Sequence, residues 1–393
     1  MSPLLASHMR RRLLLSGLGV VLQGHTRAAQ PDAEQKRNVR AGPERAAIVF
    51  PRDFGSHPDL RTEWWYITGQ THIGTGTEVG PLGFQITFFR ARVDGTQTMR
   101  SRFAAKQLLF AHAAVTDVRA QRFRHDQRIA RDGFGIASAS ETDTAIRLRD
   151  WSLVRQNGVY RAEAHAPDFT LRLDFSETQP VLLQGRAGLS RKGPDPAQTS
   201  FYYSQPQLAF EGEILLSGQR FAVSGQGARS ANAEFKPGAG AAWLDHEWSE
   251  SLMPADAVGW DWIGMNLFDG SALMAFQMRD QAGHPIWDAG SFRGGEGAAH
   301  GSATAFARSE VAFQPIRLWK SPLTQASYPV EWLLRTPAGE YKVKALLDPQ
   351  ELDSRGSTGA VYWEGLSDLF DAAGRHVGRG YLEMTGYARA LVL

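Results

Sequence analysis

The chain has 393 residues, is 42% hydrophobic and holds 40 Gly, 19 Pro and no Cys. That length exceeds one ordinary core, and the lack of Cys excludes disulfides, thiol catalysis, thiolate metal sites and anchoring through a lipidated cysteine. The formal charge of +2 owes to Arg10, Arg11, Arg12 and Arg27, which precede residue 30 with no acid among them; the remainder is slightly acidic and offers no basic surface for nucleic acid.

The opening "MRRRLLLSGLGVVLQGHTRAAQ" places a basic start before an apolar run, Leu13 to Leu22, and small residues at Ala28 and Ala29. The run is too short to span a bilayer. It predicts an export signal over 1–29, with Arg11-Arg12 resembling a twin-arginine signal, hence a periplasmic or secreted protein; Met9 is an alternative start. Residues 30–47 are polar without period and read as a linker.

Two β-rich regions are expected, over 48–228 and 243–393, separated by the Gly-rich "GARSANAEFKPGAGAA". In the first, "HPDLRTEWWYITG" leads into a strand whose adjacent Trp64 and Trp65 point to opposite faces, with Glu63 expected as an exposed carboxylate or, as the alternative, a lumenal acid. His112, within the apolar run "LLFAHAAVTD", reads as a core histidine bonded to a neighbour, with a lumenal role as the alternative. "FTLRLDF" alternates without error, as a half-buried strand does. "SRKGPDPAQTSFYYSQPQL" is a long loop over a barrel mouth before the strand bearing Tyr202 and Tyr203, and "LAFEGEILLSGQRFAVSG" is a hairpin about Ser217-Gly218.

In the second region "WLDHEW" packs Asp245, His246 and Glu247 between Trp243 and Trp248. "GWDWIGMNLFDGSALMAFQMRD" reads as a hairpin with a type I′ turn at Asp269-Gly270. Alternation puts Trp260 and Trp262 on one face of its first strand and Asp261 on the other. If that second face is outward, Asp261 is solvated; if inward, desolvation keeps it protonated and able to give up a proton. "VEWLLRTPAGEYKVKALL" is another hairpin, and "VYWEGLSDLF" and "GRGYLEMTGY" contribute Trp363, Glu364, Tyr381 and Glu383. Tyr381 and Glu383 share a strand face, either as a rim pair or as pocket lining. No metal spacing such as H-E-x-x-H and no G-x-S-x-G elbow occurs. So many antiparallel strands in succession predict an all-β protein of sandwiches or barrels.

Eight segments in order, including "FPRDFGSHPDLRTEWWYITG", "SRKGPDPAQTSFYYSQPQL", "WLDHEWS" and "GRGYLEMTGY", resemble the exported, AttH-like branch of the carotenoid 1,2-hydratase (hydroxyneurosporene synthase) family. The resemblance runs from Phe50 to Tyr387 and implies two consecutive lipocalin-like antiparallel β-barrels. It also implies a hydratase adding water to a C=C bond of an acyclic carotenoid or another apolar polyene, or a protein working beside an ABC-type transporter.

Such a hydration needs an acid, a π-rich wall for the carbocation and a positioned water, with no metal or organic cofactor. The candidate acids are Asp261 and Asp245, with His246 orienting water and Trp248 and Tyr381 beside them. Trp64, Trp65, Tyr203, Trp243, Trp260, Trp262 and Trp363 are the expected lining for a carotenoid, isoprenoid or lipid. The alternative is a non-catalytic carrier of the same ligands. The mature chain is expected to start after Ala29 outside the cytoplasm; intact mass of the exported protein tests this, and a cytoplasmic product retaining Arg10 to Leu22 refutes it.

Overall fold

A computed structural model describes residues 47–74, 79–226, 240–251, 253–295 and 303–391, so the expected signal and most of both the linker and the central Gly-rich segment lie outside the described residues. What is described is almost wholly antiparallel β. One fourteen-stranded sheet runs, in spatial order, through Arg122–Arg131, Gln107–Asp117, Gly80–Arg92, Thr62–Ile73, Ala241–Ser249, Thr199–Leu216, Phe169–Ser176 and Val159–His165 to the short strands ending at Ala137–Ala139. A ten-stranded sheet runs from Thr304–Phe306 through Pro285–Arg293, Ala272–Arg279, Gly259–Leu267, His376–Met384, Ala360–Asp371, Gly339–Ala345 and Ser327–Thr336 to Ala312–Lys320. The all-β class is the one the strand count predicts, and the two sheets are the two lipocalin-like barrels that the family resemblance implies.

Alternation builds each core. Phe169, Leu171, Leu173 and Phe175 of the "FTLRLDF" strand all point into the first barrel. The first core also takes Trp65, Phe84, Trp151 and Trp248, and the second is filled by Ile263, Met265, Trp332, Trp363 and Leu382. The Ser217-Gly218 hairpin forms, with both residues left-handed. The turn after Leu267 differs from expectation: only Gly270 has positive φ, and the Leu267 amide donates to the Ser271 carbonyl across a longer loop. A type I′ turn needs both central residues left-handed, and Asp269 is not.

The boundary expected at 243 is also displaced. Ala241–Ser249 does not open the second barrel; it is hydrogen-bonded between Thr62–Ile73 and Thr199–Leu216 in the first sheet. Every one of its residues is buried. A strand covered on both faces suits a sheet centre rather than a barrel edge.

Buried glutamines join the two sheets. Gln207 donates through Nε2 to the carbonyls of Leu267 and Ser271, and its main-chain amide donates to Asn266. Gln184 bridges Ser204 and Ser291, and Gln179 bridges Gly270 and Arg293. Gln350 accepts from Thr116 and the Leu366 amide while donating to the Leu347 carbonyl. His112 completes the set, bonded to Tyr362 at 2.7 Å and Ser357 at 2.9 Å, the neighbour-bonded role expected of it. Replacing Gln350 by Leu orphans Thr116, the Leu347 carbonyl and the Leu366 amide together. The expected loss in equilibrium urea unfolding is about 1–3 kcal/mol, and an unchanged midpoint would show the joint does not depend on it.

Candidate active site

Ala241–Ser249 sorts its side chains into two environments. Leu244 and Trp248 enter the first core, and His246 lies on the same face; Trp243, Asp245 and Glu247 face the second sheet. The neighbouring strand Thr62–Ile73 sorts likewise, with Glu63 and Trp65 inward and Trp64 and Tyr66 toward the second barrel.

Inside the first barrel His246, Glu63 and His57 form a buried chain. Glu63 Oε1 lies 2.9 Å from His246 Nε2 and 2.8 Å from His57 Nδ1, while Oε2 accepts from Arg90 Nε at 2.8 Å. Burial alone would raise the Glu63 pKa, but hydrogen bonds from both histidines override it and hold the carboxyl well below its usual range. Glu63 is therefore an interior anion, the lumenal alternative rather than the exposed carboxylate. His57 has both ring nitrogens on carboxylates, with Nε2 at 3.1 Å from Asp53, and it stacks on Trp248 with centroids 3.9 Å apart. Burial lowers His246 to about 4, so it is neutral at pH 7, with Nδ1 left to accept from the Tyr203 hydroxyl at 3.1 Å.

Among the described residues, His57, Glu63 and His246 are the group whose ligand atoms fall within 4.8 Å of one another. Their contacts are hydrogen bonds at normal length. An ion there would have to break two of them and sit beside the Arg90 guanidinium. The cluster as it stands pins the segment before Thr62 into the barrel.

A cleft of about 380 Å³ opens between the two sheets. Its walls are aromatic and apolar, including Trp64, Phe89, Phe110, Trp260, Trp262 and Phe276. Into it project the carboxyls of Asp245, Glu247, Glu364 and Glu383. Asp245 accepts from the Tyr202 hydroxyl at 2.7 Å, Trp243 Nε1 at 2.7 Å and Ser204 at 2.5 Å. Trp262 Nε1 donates onward to the Tyr202 oxygen at 3.1 Å. Burial dominates these bonds and raises Asp245 to about 7. Glu364 and Glu383 are cross-strand neighbours. Burial pushes Glu364 well up, and the adjacent Glu383 adds to it; Glu383 is raised in turn by burial and by Asp245 and Glu247. The Tyr66 hydroxyl lies beside Glu364, but neither it nor Glu364 Oε1 makes a hydrogen bond of regular geometry. Lys192 arrives from the loop after Leu189–Arg191, pairs with Glu247 at 2.8 Å and lies over the rings of Phe276 and Tyr202.

Of the residues expected from the sequence, Asp245, Trp64, Trp260 and Trp262 meet in this cleft, with Trp243 and Tyr381 packed in the aromatic cluster behind it. His246, Trp248, Trp65 and Tyr203 do not, because they occupy the opposite face of the same strands, inside the first barrel. Asp261 points into the second barrel, where Arg279 at 2.8 Å, Gln277 and Tyr387 engage it; it is an interior ion-pair partner. Trp363 lies in that core as well, donating to the Asp348 carbonyl. Cleft residues without an expected role include Tyr202, Glu364, Tyr362 and Lys192. Glu383 takes the pocket-lining option left open for it. Period two applied to "WLDHEW" and "VYWEG", as it was to "GWDWIG", groups Trp243 with Asp245 and Glu247, and Tyr362 with Glu364.

The AttH-like family profile matches residues 41–387. The crystal structure of an AttH-type protein of Nitrosomonas europaea is 44% identical, with a TM-score of 0.76, covering 87% of this chain and 97% of its own. Kievitone hydratase of Nectria haematococca shares the fold at 14% identity and a TM-score of 0.64, covering 87% of this chain and 94% of its own. None of the curated proteins compared with the chain matches it. With a family profile spanning nearly its whole described length and a solved relative alike in both barrels, the chain belongs to the AttH-like family.

Proposed function

We propose that the cleft is the active site of a cofactor-independent hydro-lyase that adds water to a C=C bond of an apolar isoprenoid or polyene. The observation that carries this reading is the convergence of four carboxyls on one aromatic-walled cleft of low polarity. Like charges in such a place cannot all ionise, so the cleft keeps carboxylic acids protonated near neutral pH. The fold shared with kievitone hydratase, a hydratase by name, is consistent with this chemistry.

Asp245 is the proton donor in this proposal. Its O–H bond breaks as a C–H bond forms at one alkene carbon, leaving a cation on the other. Trp64, Trp260 and Trp262 turn π faces to that cation. A water held by the Glu364–Glu383 pair adds to the cation and its surplus proton passes to the Asp245 carboxylate, so alkene and water become an alcohol with Asp245 restored as the acid. Tyr202, bonded between Asp245 and Trp262, holds the donor in position. The cleft volume sits near the low end of the roughly 300–1,000 Å³ usual for small-molecule sites, so a long polyene enters by one end. Export through the N-terminal segment belongs to the same proposal.

A second reading is favoured by the same Asp245, whose oxygens already accept three hydrogen bonds. On that reading the acids are structural, and the protein carries an apolar ligand to or from a membrane transporter. The two separate on Asp245→Asn. For a hydratase, conversion of an acyclic isoprenoid to its alcohol falls by about 10²–10⁴ while ligand quenching of Trp emission persists, since the lost interaction exists only in the transition state. A wild type that binds but yields no alcohol identifies the carrier.

The pH dependence follows from the same groups. The donor must be protonated, and Asp245 and Glu383 are each raised to about 7, so kcat/KM is expected to fall as pH rises through about 7. A raised carboxyl also gives stability that is complete below its unfolded pKa and lost as pH climbs through the folded one. Thermal unfolding of Asp245→Asn should therefore lose less between pH 5 and pH 8 than the wild type, with the variant's advantage confined to the upper end. A profile flat across this range would place the acid elsewhere.

A further inference from the structure

Among the described residues ten large hydrophobic side chains are exposed, and five of them, Met99, Phe103, Ile129, Phe134 and Ile136, crowd one rim of the first barrel. Phe103 is 69% exposed. Its ring stacks on Phe134 with centroids 5.7 Å apart, and the Arg131 guanidinium lies over both, 4.1 Å from Phe134 and 5.6 Å from Phe103. Arg131 also donates to the Phe103 carbonyl. A recess beside them is lined by Arg100, Arg102 and Lys106 against a single acid, Asp132. Asp94, the acid at the start of this loop, is already paired with Arg92 at 2.7 Å. The rim is thus apolar, aromatic and basic at once.

It is continuous with the cleft. Across the strands Gln107–Asp117 and Arg122–Arg131, Leu108 stands opposite Arg131 and Phe110 opposite Ile129. Directly opposed residues share a sheet face. Leu108, Phe110 and Ile129 line the cleft, so one face runs from the basic rim to its apolar interior without a polar barrier.

We propose that this rim docks on an anionic lipid bilayer, so that an apolar ligand passes between bilayer and cleft without entering water. A lipid headgroup layer takes aromatic and basic side chains in the same plane: the rings reach the acyl boundary while the guanidinium and ammonium groups meet phosphate. A protein partner would instead have to supply acids to cover the basic groups around Phe103. The purpose of the docking rests on the apolar-ligand reading of the cleft; the docking itself does not.

The mature full chain is sedimented with phosphatidylcholine vesicles, with and without phosphatidylglycerol. Binding is expected only with the anionic lipid and should weaken in high salt. Each basic residue near such a surface contributes roughly fivefold in affinity, so Arg100→Glu with Arg102→Glu should weaken binding by at least about tenfold. Phe103→Ser should also weaken it, whereas Leu318→Ser, at a side chain 61% exposed on the edge strand of the second barrel, should not. No binding to anionic vesicles, or an equal loss in Leu318→Ser, overturns the proposal. Vesicle binding intact in a protein whose cleft neither binds nor converts apolar ligands would refute the cleft reading alone; conversion of a detergent-dispersed substrate without vesicle binding would refute the docking alone.

Discussion

The period-two geometry of one doubly buried strand is the constraint on which the rest depends. Ala241–Ser249 must satisfy an ion-paired barrel interior on one side and a cleft between barrels on the other. Successive residues therefore carry opposite duties. His246 belongs to a charge-compensated network with Glu63 and Tyr203, while Asp245 and Glu247, one position away on either side, face an apolar cleft under-supplied with cations. A one-residue slip in register would exchange the two sets and place a neutral histidine where the acids stand.

The two polar clusters differ in electrostatic logic. Around Glu63 burial is overcome by donors, and the carboxyl is held ionised. Around Asp245, Glu364 and Glu383 burial wins, and the proton is held on. The first arrangement fits a structural anchor, since leaving Arg90 buried without its carboxylate would be costly. The second lowers stability at neutral pH and is the kind of local conflict that sites of chemistry retain.

The architecture was legible because it is written in alternation and turn residues: "FTLRLDF", the hairpin at Ser217-Gly218 and the paired strands about Asp269-Gly270 each carry their own signal. The cleft was only half legible. Asp261 and Asp245 look alike in sequence, each an acid with a tryptophan on either side within three positions, and only the partner strands distinguish them. Arg279, Gln277 and Tyr387 lie 16 to 126 positions from Asp261, and no local pattern announces that they will neutralise it. The choice between the two readings of Glu63 is illegible for the same reason, since Arg90 and His246 reach it only through cross-strand pairing. The boundary expected at 243 falls within the first sheet, because a Gly-rich stretch marks a break in sequence pattern and not a division in space: Ala241–Ser249 pairs with two strands of that sheet before the chain leaves it.

The glutamine joint between the barrels bears on how the cleft behaves as its acids titrate. Gln179, Gln184, Gln207 and Gln350 cross the interface through amide groups, which carry no charge at any ordinary pH. Had the sheets been clamped by carboxylates and lysines, each proton gained or lost would have changed the clamp along with the site. These amide bonds do not titrate: they hold the same partners while the charge between the walls changes, so proton affinity in the cleft can be adjusted by substitution without touching the glutamines that set the span a ligand has to fit.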